Sequence, residues 1–400
     1  MAMEPDRTDW QRLLAQVRAD ALDCLQSNLA VVADRRHGPG THLALGAGWG
    51  FQPGADGGFE RSPAERLAEA ETALGLRVAE TWRTSDGTFL RRMAREHDPL
   101  FVVSDAHRMP WLPYAGREHM THSFLLCAGP DDDRVTIVDA YHNDTRWGPA
   151  RPGTWTLPAD EVGALLGDCA TAYLLESAHV TDVHPGRVLA ENAARLSAAE
   201  GDGERYLKRA RQCVKDPGTL DRLVLDIWML LRERMLHEAW LRHAGLPAEA
   251  VGPMGDLVDR WRALATQSYV AQRRRQRSGV QDLSLADRMA ALLRDEAEVA
   301  RQLVHVHAHA GAGDEAVVAI RRALMETLSI DAEALDRAPT LRELPGFDSY
   351  RLVEVLDSVE QLLGRPYDAA GLSARTVRDA VSLAELFSPA ERHSGIRVLP

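Results

Sequence analysis

Cys24 is the first of the four cysteines in the sequence, and its thiol could act as a nucleophile. Apolar residues at three- and four-residue spacing predict a helix over residues 9–36, which would contain Cys24. A break near residues 21–23 would instead place Cys24 at a helix N-terminus, where the helix dipole lowers the pKa of a thiol. A cysteine on an apolar helix is more often a core residue, so a catalytic role requires a base and an orienting group elsewhere.

His122 and Asp139 are the side chains best suited to those two roles. His122 precedes a predicted strand at 123–128, and Asp139 closes the next predicted strand, at 134–139. The polar turn at 129–133 makes an antiparallel hairpin the expected arrangement. Taken singly, such residues more often have structural roles. If the two side chains meet, Asp139 could hold one imidazole nitrogen of His122 while the other nitrogen faces the thiol.

The register of this hairpin decides whether the two side chains meet. Pairing of Cys127 with Arg134 would put His122 directly opposite Asp139, with Cβ atoms about 5 Å apart on one face of the sheet. A slip of one residue would turn the two side chains to opposite faces. The pairing partner of Cys127 therefore tests the predicted contact.

Ser349 is a second reactive position, in the segment Gly346-Phe347-Asp348-Ser349-Tyr350. Asp348 is predicted to cap a helix that starts at Ser349. The apolar stripe of this helix consists of Leu352, Leu356, Val359 and Leu363. The Ser349 hydroxyl would then lie beside unpaired backbone N–H groups at the positive end of the helix dipole, which suits a phosphodiester. The alternative is that Asp348 and Ser349 are only a capping pair.

Three regions are predicted to position these residues. A mixed α+β region with an antiparallel sheet comes first, with predicted strands at 99–104, 123–128, 134–139 and 172–176. Helical periodicity then continues to about residue 310, and Gly311-Ala312-Gly313 is predicted to be a joint before a small helical unit. The predicted domains are 9–185, 186–310 and 314–388.

Composition excludes several classes of function. The 400-residue chain has a net charge of −12, which argues against a broad basic surface for nucleic acid or anionic membranes. The basic run at 273–277 is expected to be a solvated helix face. The sequence shows neither the roughly 20 consecutive apolar residues of a membrane helix nor the layout of a secretory signal. Four widely spaced cysteines predict a reducing, cytoplasmic environment.

Neither a metal site nor a nucleotide site is predicted. His305, His307 and His309 alternate, so a helix would not gather them on one face, and the cysteines lack the spacing of zinc ligands. The alternating glycines at 46–50 lack the strand and the acidic partner of a dinucleotide-binding fingerprint.

Residues 315–387 resemble acyl and peptidyl carrier domains, whose signature is Gly-x-Asp-Ser-Leu at the start of the second helix. Tyr350 stands where leucine is usual, at a position expected to pack on the bundle. The resemblance implies a four-helix bundle with an acidic recognition helix. It also implies a 4′-phosphopantetheine group on Ser349, a phosphopantetheinyl transferase that attaches this group, and an acyl-activating enzyme that loads it.

Residues 15–147 resemble the N-terminal domain of the butirosin biosynthesis protein H family, which has a papain-like cysteine fold. The matching landmarks are Asp23-Cys24, the glycine-rich run at 45–51, the segments at 102–105 and 111–114, His119-x-x-His122 and Val138-Asp139. Proteins of that family use a cysteine to pass an acyl group from a carrier-bound thioester to an amine. The resemblance therefore implies that Cys24 is the nucleophile, His122 the base and Asp139 the orienting residue. Ala140 departs from the pattern, since Asp-Pro is commoner at the end of this strand.

The two resemblances together imply acyl transfer to a small-molecule amine in natural-product biosynthesis. The region 186–310 is similar to the helical region that often follows the cysteine domain, and it is expected to form part of the acceptor pocket. His237, Glu238 and Trp240 are candidates for the lining, although as helix residues they are expected to be structural. The alternatives are a papain-like hydrolase or peptidase, a non-catalytic scaffold that docks partners, and a thiol domain that loads the carrier.

Overall fold

The structure is a computed structural model that describes residues 7–54, 57–179, 184–215, 217–279, 282 and 284–387. The fold is α+β, as predicted, with one six-stranded antiparallel sheet. The chain divides into two compact units, Met1–Arg301 and Gln302–Pro400. Within the described residues no helix combines the length and the apolar composition needed to cross a membrane.

The N-terminal helical stretch is interrupted just before Cys24. It forms helix α1, a 3₁₀ turn and helix α2, at Arg7–Gln16, Ala19–Ala21 and Cys24–His37. Asp23 adopts an extended conformation, and its carboxylate accepts hydrogen bonds from the backbone amides of Leu25 and Gln26. Because this cap starts a new helix, the single helix predicted over 9–36 is wrong, and the alternative that places Cys24 at a helix N-terminus is confirmed.

The sheet occupies the centre of the first unit. The elements around it are α3 Pro63–Leu74, β1 Leu76–Thr84, α4 Gly87–Glu96, β2 Leu100–Asp105, β3 Thr121–Ala128, β4 Arg134–Asp139, β5 Asn143–Thr145, β6 Gly148–Ala150, β7 Gly153–Pro158, α5 Val162–Leu166 and β8 Ala170–Ser177. The strand order is β1-β8-β2-β3-β4-β7, while β5 and β6 form a separate pair. The four predicted strands correspond to β2, β3, β4 and β8, and the strands β1 and β7 were not predicted.

Both faces of the central strands β2, β3 and β4 are buried against helices. Phe101, Leu125 and Val138 pack with α1 and α2 on one face. Phe124 and Ile137 pack with α4 and α5 on the other face. These three strands are mostly apolar because neither of their faces meets solvent, whereas the edge strand β1 is largely exposed. Burying a polar side chain such as that of His122 between the sheet and the helices costs free energy unless the side chain has hydrogen-bond partners.

The β3–β4 hairpin is shifted by two residues from the predicted register. Cys127 pairs with Thr136, so the predicted pairing with Arg134 is wrong. A shift of two residues preserves the face on which each side chain lies, because side chains alternate with a period of two. His122 and Asp139 therefore still point to the same face, as diagonal rather than directly opposed neighbours.

Helices complete the first unit after the sheet. They are α6 Pro185–Ala198, α7 Glu200–Lys215, α8 Pro217–His243, α9 Ala248–Ser278 and the first part of α10 Leu285–Leu328. Arg234 on α8 and Glu296 on α10 form a fully buried ion pair, with Nε 2.7 Å from Oε1. Glu296 Oε1 also accepts a hydrogen bond of 2.8 Å from Trp261 of α9. These contacts join three helices of this unit. Helix α10 continues through residues 311–313, so the joint predicted there is not a break in the helix.

The second unit is helical. Besides the end of α10 it contains α11 Ala332–Arg337, α12 Ser349–Leu363 and α13 Ala380–Ala384, joined by 3₁₀ turns. The stripe predicted on α12 packs into its core, with Leu356 and Val359 buried and Leu352 and Leu363 partly buried. The other face of α12 carries Glu354 and is exposed.

Candidate active site

Cys24 is the first residue of α2, and its partly exposed side chain lines a surface pocket. Its Sγ lies 3.6 Å from the carbonyl oxygen of Thr121, the first residue of β3. The Cys24 carbonyl oxygen accepts a 2.7 Å hydrogen bond from Ser123 Oγ. The first turn of α2 is therefore held against the start of β3, the strand that carries His122.

The two ring nitrogens of His122 are in different situations, although the whole side chain is buried. Nε2 lies 2.8 Å from Asp139 Oδ2, so we assign the ring proton to Nε2, where the carboxylate accepts it. Nδ1 has no hydrogen-bond partner among the described residues, and the Cys24 thiol bonds to Thr121 rather than to Nδ1. Buried polar atoms normally have partners. His122 thus presents a buried, unused lone pair that can accept a proton.

Asp139 closes β4 and accepts four hydrogen bonds. Oδ2 accepts from His122 and from Trp111 Nε1 at 2.9 Å. Oδ1 accepts from the Tyr141 amide at 2.9 Å and from Asn28 Nδ2 at 3.3 Å. Burial pushes the pKa of Asp139 upward, but His122 and the donated hydrogen bonds outweigh burial, and the net pKa lies below the usual value. The predicted contact between Asp139 and His122 is present, with the carboxylate ionised.

Asn28, Trp111 and Ser123 belong to the site, although the sequence did not assign them to it. Asn28 Nδ2 donates to the Ser123 carbonyl oxygen at 2.8 Å, and Asn28 Oδ1 accepts from the Ala140 amide at 2.9 Å. Asn28 follows Cys24 by four residues, so both lie on one face of α2. That spacing is the sequence signal from which Asn28 could have been found.

The thiol of Cys24 is not activated in the resting site. Burial raises its pKa well above the ordinary value, and the carboxylates of Asp23 and Asp139 raise it further, while the guanidinium of Arg66 lowers it. The predicted lowering of this pKa by the helix dipole is therefore wrong in net direction. Asp23 places a negative charge at the positive end of α2, which offsets the dipole. Cys24 rests as a thiol and needs a base to become a nucleophile.

Cys24 lines a pocket of about 870 Å³ within the first unit. Its walls include the start of α2, the segments at 60–65, around Thr121 and at 141–147, and helices α8 and α9. The aromatic side chains of the lining are Tyr114, Tyr141, Trp147, Trp228 and Tyr269. A pocket of this size with aromatic walls suits a small-molecule ligand. Helices α8 and α9 belong to the region 186–310, from which a contribution to the pocket is predicted.

His237, Glu238 and Trp240 do not line this pocket. The Nδ1–H of His237 donates a 2.7 Å hydrogen bond to the Gly46 carbonyl oxygen. Burial lowers the pKa of His237 to about 4, so the ring is neutral near pH 7. The expectation that these helix residues are structural is consistent with these contacts.

The charges around the pocket are mostly paired. Four acidic residues of the lining form ion pairs with arginines. The pairs are Asp23–Arg66, Glu60–Arg222, Glu118–Arg146 and Asp144–Arg151. Arg273 also lines the pocket and makes no ion pair within the described residues. The basic run at 273–277 is exposed except at the half-buried Arg275, and its residues Arg273 and Gln276 also line the pocket.

Ser349 is the exposed first residue of α12, preceded by the capping residue Asp348. The Asp348 carboxylate accepts hydrogen bonds from the amides of Tyr350 and Arg351, at 2.8 and 2.9 Å. The expectation that amides beside Ser349 are unpaired is wrong for these two. Tyr350 is 82% exposed, so the expectation that it packs on the bundle is also wrong. The Ser349 hydroxyl itself is accessible to a modifying enzyme.

Within the described residues no group of three or more His, Cys, Asp or Glu side chains could hold a metal ion. The side chain of His309 lies outside those residues.

The site places a thiol on α2 against the start of β3, the strand whose histidine is bonded to an ionised carboxylate on β4. A thiol at a pocket wall, a base and an ionised carboxylate that orients the base are the groups required for attack on an activated carbonyl.

A scan against protein-family models found no match for the chain, and a search of curated proteins found none either.

Proposed function

We propose that the chain is an acyltransferase that moves an acyl or aminoacyl group from a carrier-bound thioester, through Cys24, to an amine. One observation carries this proposal: His122 is bonded to an ionised Asp139 at Nε2, and its Nδ1 is left unpaired beside the strand end that touches Cys24. An imidazole oriented by a carboxylate is the usual base for a cysteine or serine nucleophile.

We assign the first unit to a papain-like class of cysteine enzymes, and the second unit to the carrier domains. The support for the first assignment is a nucleophile at the start of a helix with base and carboxylate on neighbouring strands. The support for the second is an exposed Ser349 at the start of a helix whose stripe packs into a helical core. The likeness in sequence landmarks points the same way for both.

A 4′-phosphopantetheine group on Ser349 would supply a terminal thiol that carries the acyl group as a thioester. The residue present fits this attachment, because the Ser349 side chain is exposed at the start of α12. The chain would then need a phosphopantetheinyl transferase and an acyl-activating enzyme as partners. We place this work in the cytoplasm, where coenzyme A and reduced thiols are found.

The proposed reaction has two steps. His122 accepts the proton of Cys24 at Nδ1, and the thiolate attacks the thioester carbonyl. The carbon–sulfur bond of the thioester breaks, the leaving thiolate takes the proton from His122, and an acyl-Cys24 remains. An amine then attacks acyl-Cys24 and gives its proton to His122, the amide forms, and His122 returns the proton to Cys24. Protons and electron pairs balance without any oxidant or metal.

The Cys24 amide is the donor we assign to the negatively charged oxygen of each tetrahedral intermediate. The next two amides of α2, those of Leu25 and Gln26, are already bonded to the Asp23 carboxylate at 2.9 and 2.8 Å. Donors fixed before the reaction stabilise such charge strongly because they need not reorganise.

The test uses the full chain, loaded on Ser349 with a phosphopantetheinyl transferase and an acyl-coenzyme A. After addition of a panel of amines, intact-mass analysis follows loss of the acyl group, and liquid chromatography follows amide formation. We expect acyl-Cys24 as an intermediate and amide as product. Cys24→Ala should retain the loaded Ser349 and form no amide. Cys169→Ala removes an exposed cysteine outside the pocket and is the matched control.

Three results would contradict the proposal, each in a different way. Free acid without amide for every amine would indicate a hydrolase. Unchanged turnover in Cys24→Ala would indicate a scaffold whose thiol does no chemistry. Acyl transfer only from Cys24 to the carrier thiol would indicate a loading enzyme.

A further inference from the structure

Arg232 is a buried arginine on α8 that contacts both segments on which the proposed catalytic groups lie. Its Nη1 donates to the carbonyl oxygens of Ala19, at 2.9 Å, and Leu22, in the segment that leads into Cys24. Its Nη2 donates a 2.6 Å hydrogen bond to the carbonyl oxygen of His142, just after the strand that ends at Asp139. One guanidinium therefore joins the two sides of the site.

The charge of Arg232 has no carboxylate partner within the described residues. It bonds to three backbone carbonyls and stacks on Trp228, with the guanidinium carbon 4.0 Å from the ring centroid. An unpaired buried cation is costly, and proteins normally pair or expose such a group. Tyr141, the carboxylates of Asp23 and Asp20, and Cys24 all lie within the electrostatic reach of Arg232. Within the described residues neither carboxylate bonds to the guanidinium directly, so a Cys24 thiolate would add negative charge near a cation that has no direct ionic partner.

We propose that Arg232 is a positioning residue of the acyl-transfer site, which fixes the approach of the Cys24 segment to the Asp139 strand and supplies the counter-charge for the Cys24 thiolate. This inference rests on the proposed function for its purpose, but its geometry belongs to the first unit alone. The helical region is thereby part of the catalytic site and not only a wall of the pocket.

The test separates the charge of Arg232 from its hydrogen bonds. Arg232→Gln keeps amide donors and loses the charge, whereas Arg232→Lys keeps the charge and loses the planar fork. Iodoacetamide modification of Cys24 in the full chain is followed against pH by peptide mass spectrometry, with the exposed Cys169 of the same molecule as an internal reference. Arg195→Gln is the matched control, since Arg195 also bonds a backbone carbonyl, that of Trp49 at 3.5 Å, without touching the catalytic segments.

We expect Arg232→Gln to move the midpoint of Cys24 modification upward by about one pH unit, which slows modification near neutral pH about tenfold. Arg232→Lys should keep a midpoint close to that of the wild type. It should still lower kcat of acyl transfer by about 10-fold with little change in KM, because the lost bonds misplace the thiol. Arg195→Gln should match the wild type in both measurements.

If a folded Arg232→Gln variant modifies Cys24 with the same pH midpoint as the wild type, Arg232 does not supply the counter-charge for the Cys24 thiolate. Should circular dichroism show that the glutamine variant does not fold, Arg232→Lys decides, because wild-type kcat in that variant would overturn the positioning role. A wild-type chain that never forms acyl-Cys24 would instead defeat the proposed function. The two failures are therefore distinguishable.

Discussion

Replacement of Asp139 by asparagine isolates the contribution of one buried oxygen. Each carboxylate oxygen of Asp139 accepts two hydrogen bonds, and the side chain is 2% exposed. Asparagine has a single acceptor oxygen, so one pair of donors must face an amide NH₂. If that NH₂ faces His122, the imidazole must turn Nε2 into the acceptor and carry its proton on Nδ1, where it can no longer act as a base.

The loss in free energy of unfolding follows from the number of hydrogen-bond donors that lose their acceptor. Each buried donor left without a partner costs about 1–3 kcal/mol, and two donors cost about 2–6 kcal/mol, a large part of the stability of an ordinary domain. The wrong tautomer of His122 should lower the rate of Cys24 acylation by a factor of about 10⁴.

The contribution of Asp139 to the free energy of unfolding also depends on pH. The pKa of Asp139 is lowered by folding, so its contribution is complete above the unfolded pKa of about 4 and is lost as pH falls through the folded value.

The assay combines urea unfolding, followed by tryptophan fluorescence, with mass spectrometry of acyl-Cys24. Asp105→Asn is the matched control, because Asp105 also accepts from a histidine, His119 Nδ1 at 2.5 Å, but that histidine is 75% exposed. We expect the control to change the free energy of unfolding little and the acylation rate not at all. If Asp139→Asn acylates at the wild-type rate with wild-type stability, the assigned role of the carboxylate is wrong.

Three further predictions concern single groups. Because burial raises the pKa of Cys24, its alkylation rate should keep rising with pH beyond the usual range of a cysteine thiol, and a plateau below pH 7 would contradict a resting thiol. Glu296→Gln removes one of the two carboxylates that pair with the fully buried Arg234, the other being Glu233, and should cost up to about 3–5 kcal/mol in urea unfolding, whereas Asp295→Asn, at an exposed ion pair, should cost at most about 1 kcal/mol; equal effects would refute the assigned burial. Ser349→Ala should show no mass gain with a phosphopantetheinyl transferase and coenzyme A, and a gain in this variant would place the attachment elsewhere.

The contact between His122 and Asp139 could be predicted from the sequence. Strand periodicity and the polar turn determined the hairpin, and only a slip of an odd number of residues would have separated the two side chains. The register was nevertheless wrong by two, because turn length alone does not determine how many turn residues stay unpaired. The start of α2 at Cys24 was predicted only as an alternative to one long helix, because the helical pattern contains no glycine or proline and the break depends on the cap by Asp23.

The parts of the site that the sequence could not supply are those made by long-range packing. Trp111 reaches Asp139 across 28 residues, and Arg232 reaches the Cys24 segment across more than 200. Nothing local in either segment identifies these partners. The direction of the Cys24 pKa was also missed, because burial of the thiol and the charge of Asp139 depend on the assembled sheet.

The side-chain amide of Asn28 has a mechanical consequence. It is bonded at once to the β3 carbonyl of Ser123, the carboxylate of Asp139 and the amide of Ala140, while its own helix carries Cys24. Sliding of α2 along the sheet would strain all three hydrogen bonds together. The Cys24 sulfur therefore cannot move away from β3 and β4 unless these hydrogen bonds of Asn28 break. Widening of the cavity for a bulky ligand is then expected away from the start of α2, for example at the wall that α8 and α9 form. Substrate size should accordingly be set by how far those helices yield, while the reacting groups keep a constant spacing.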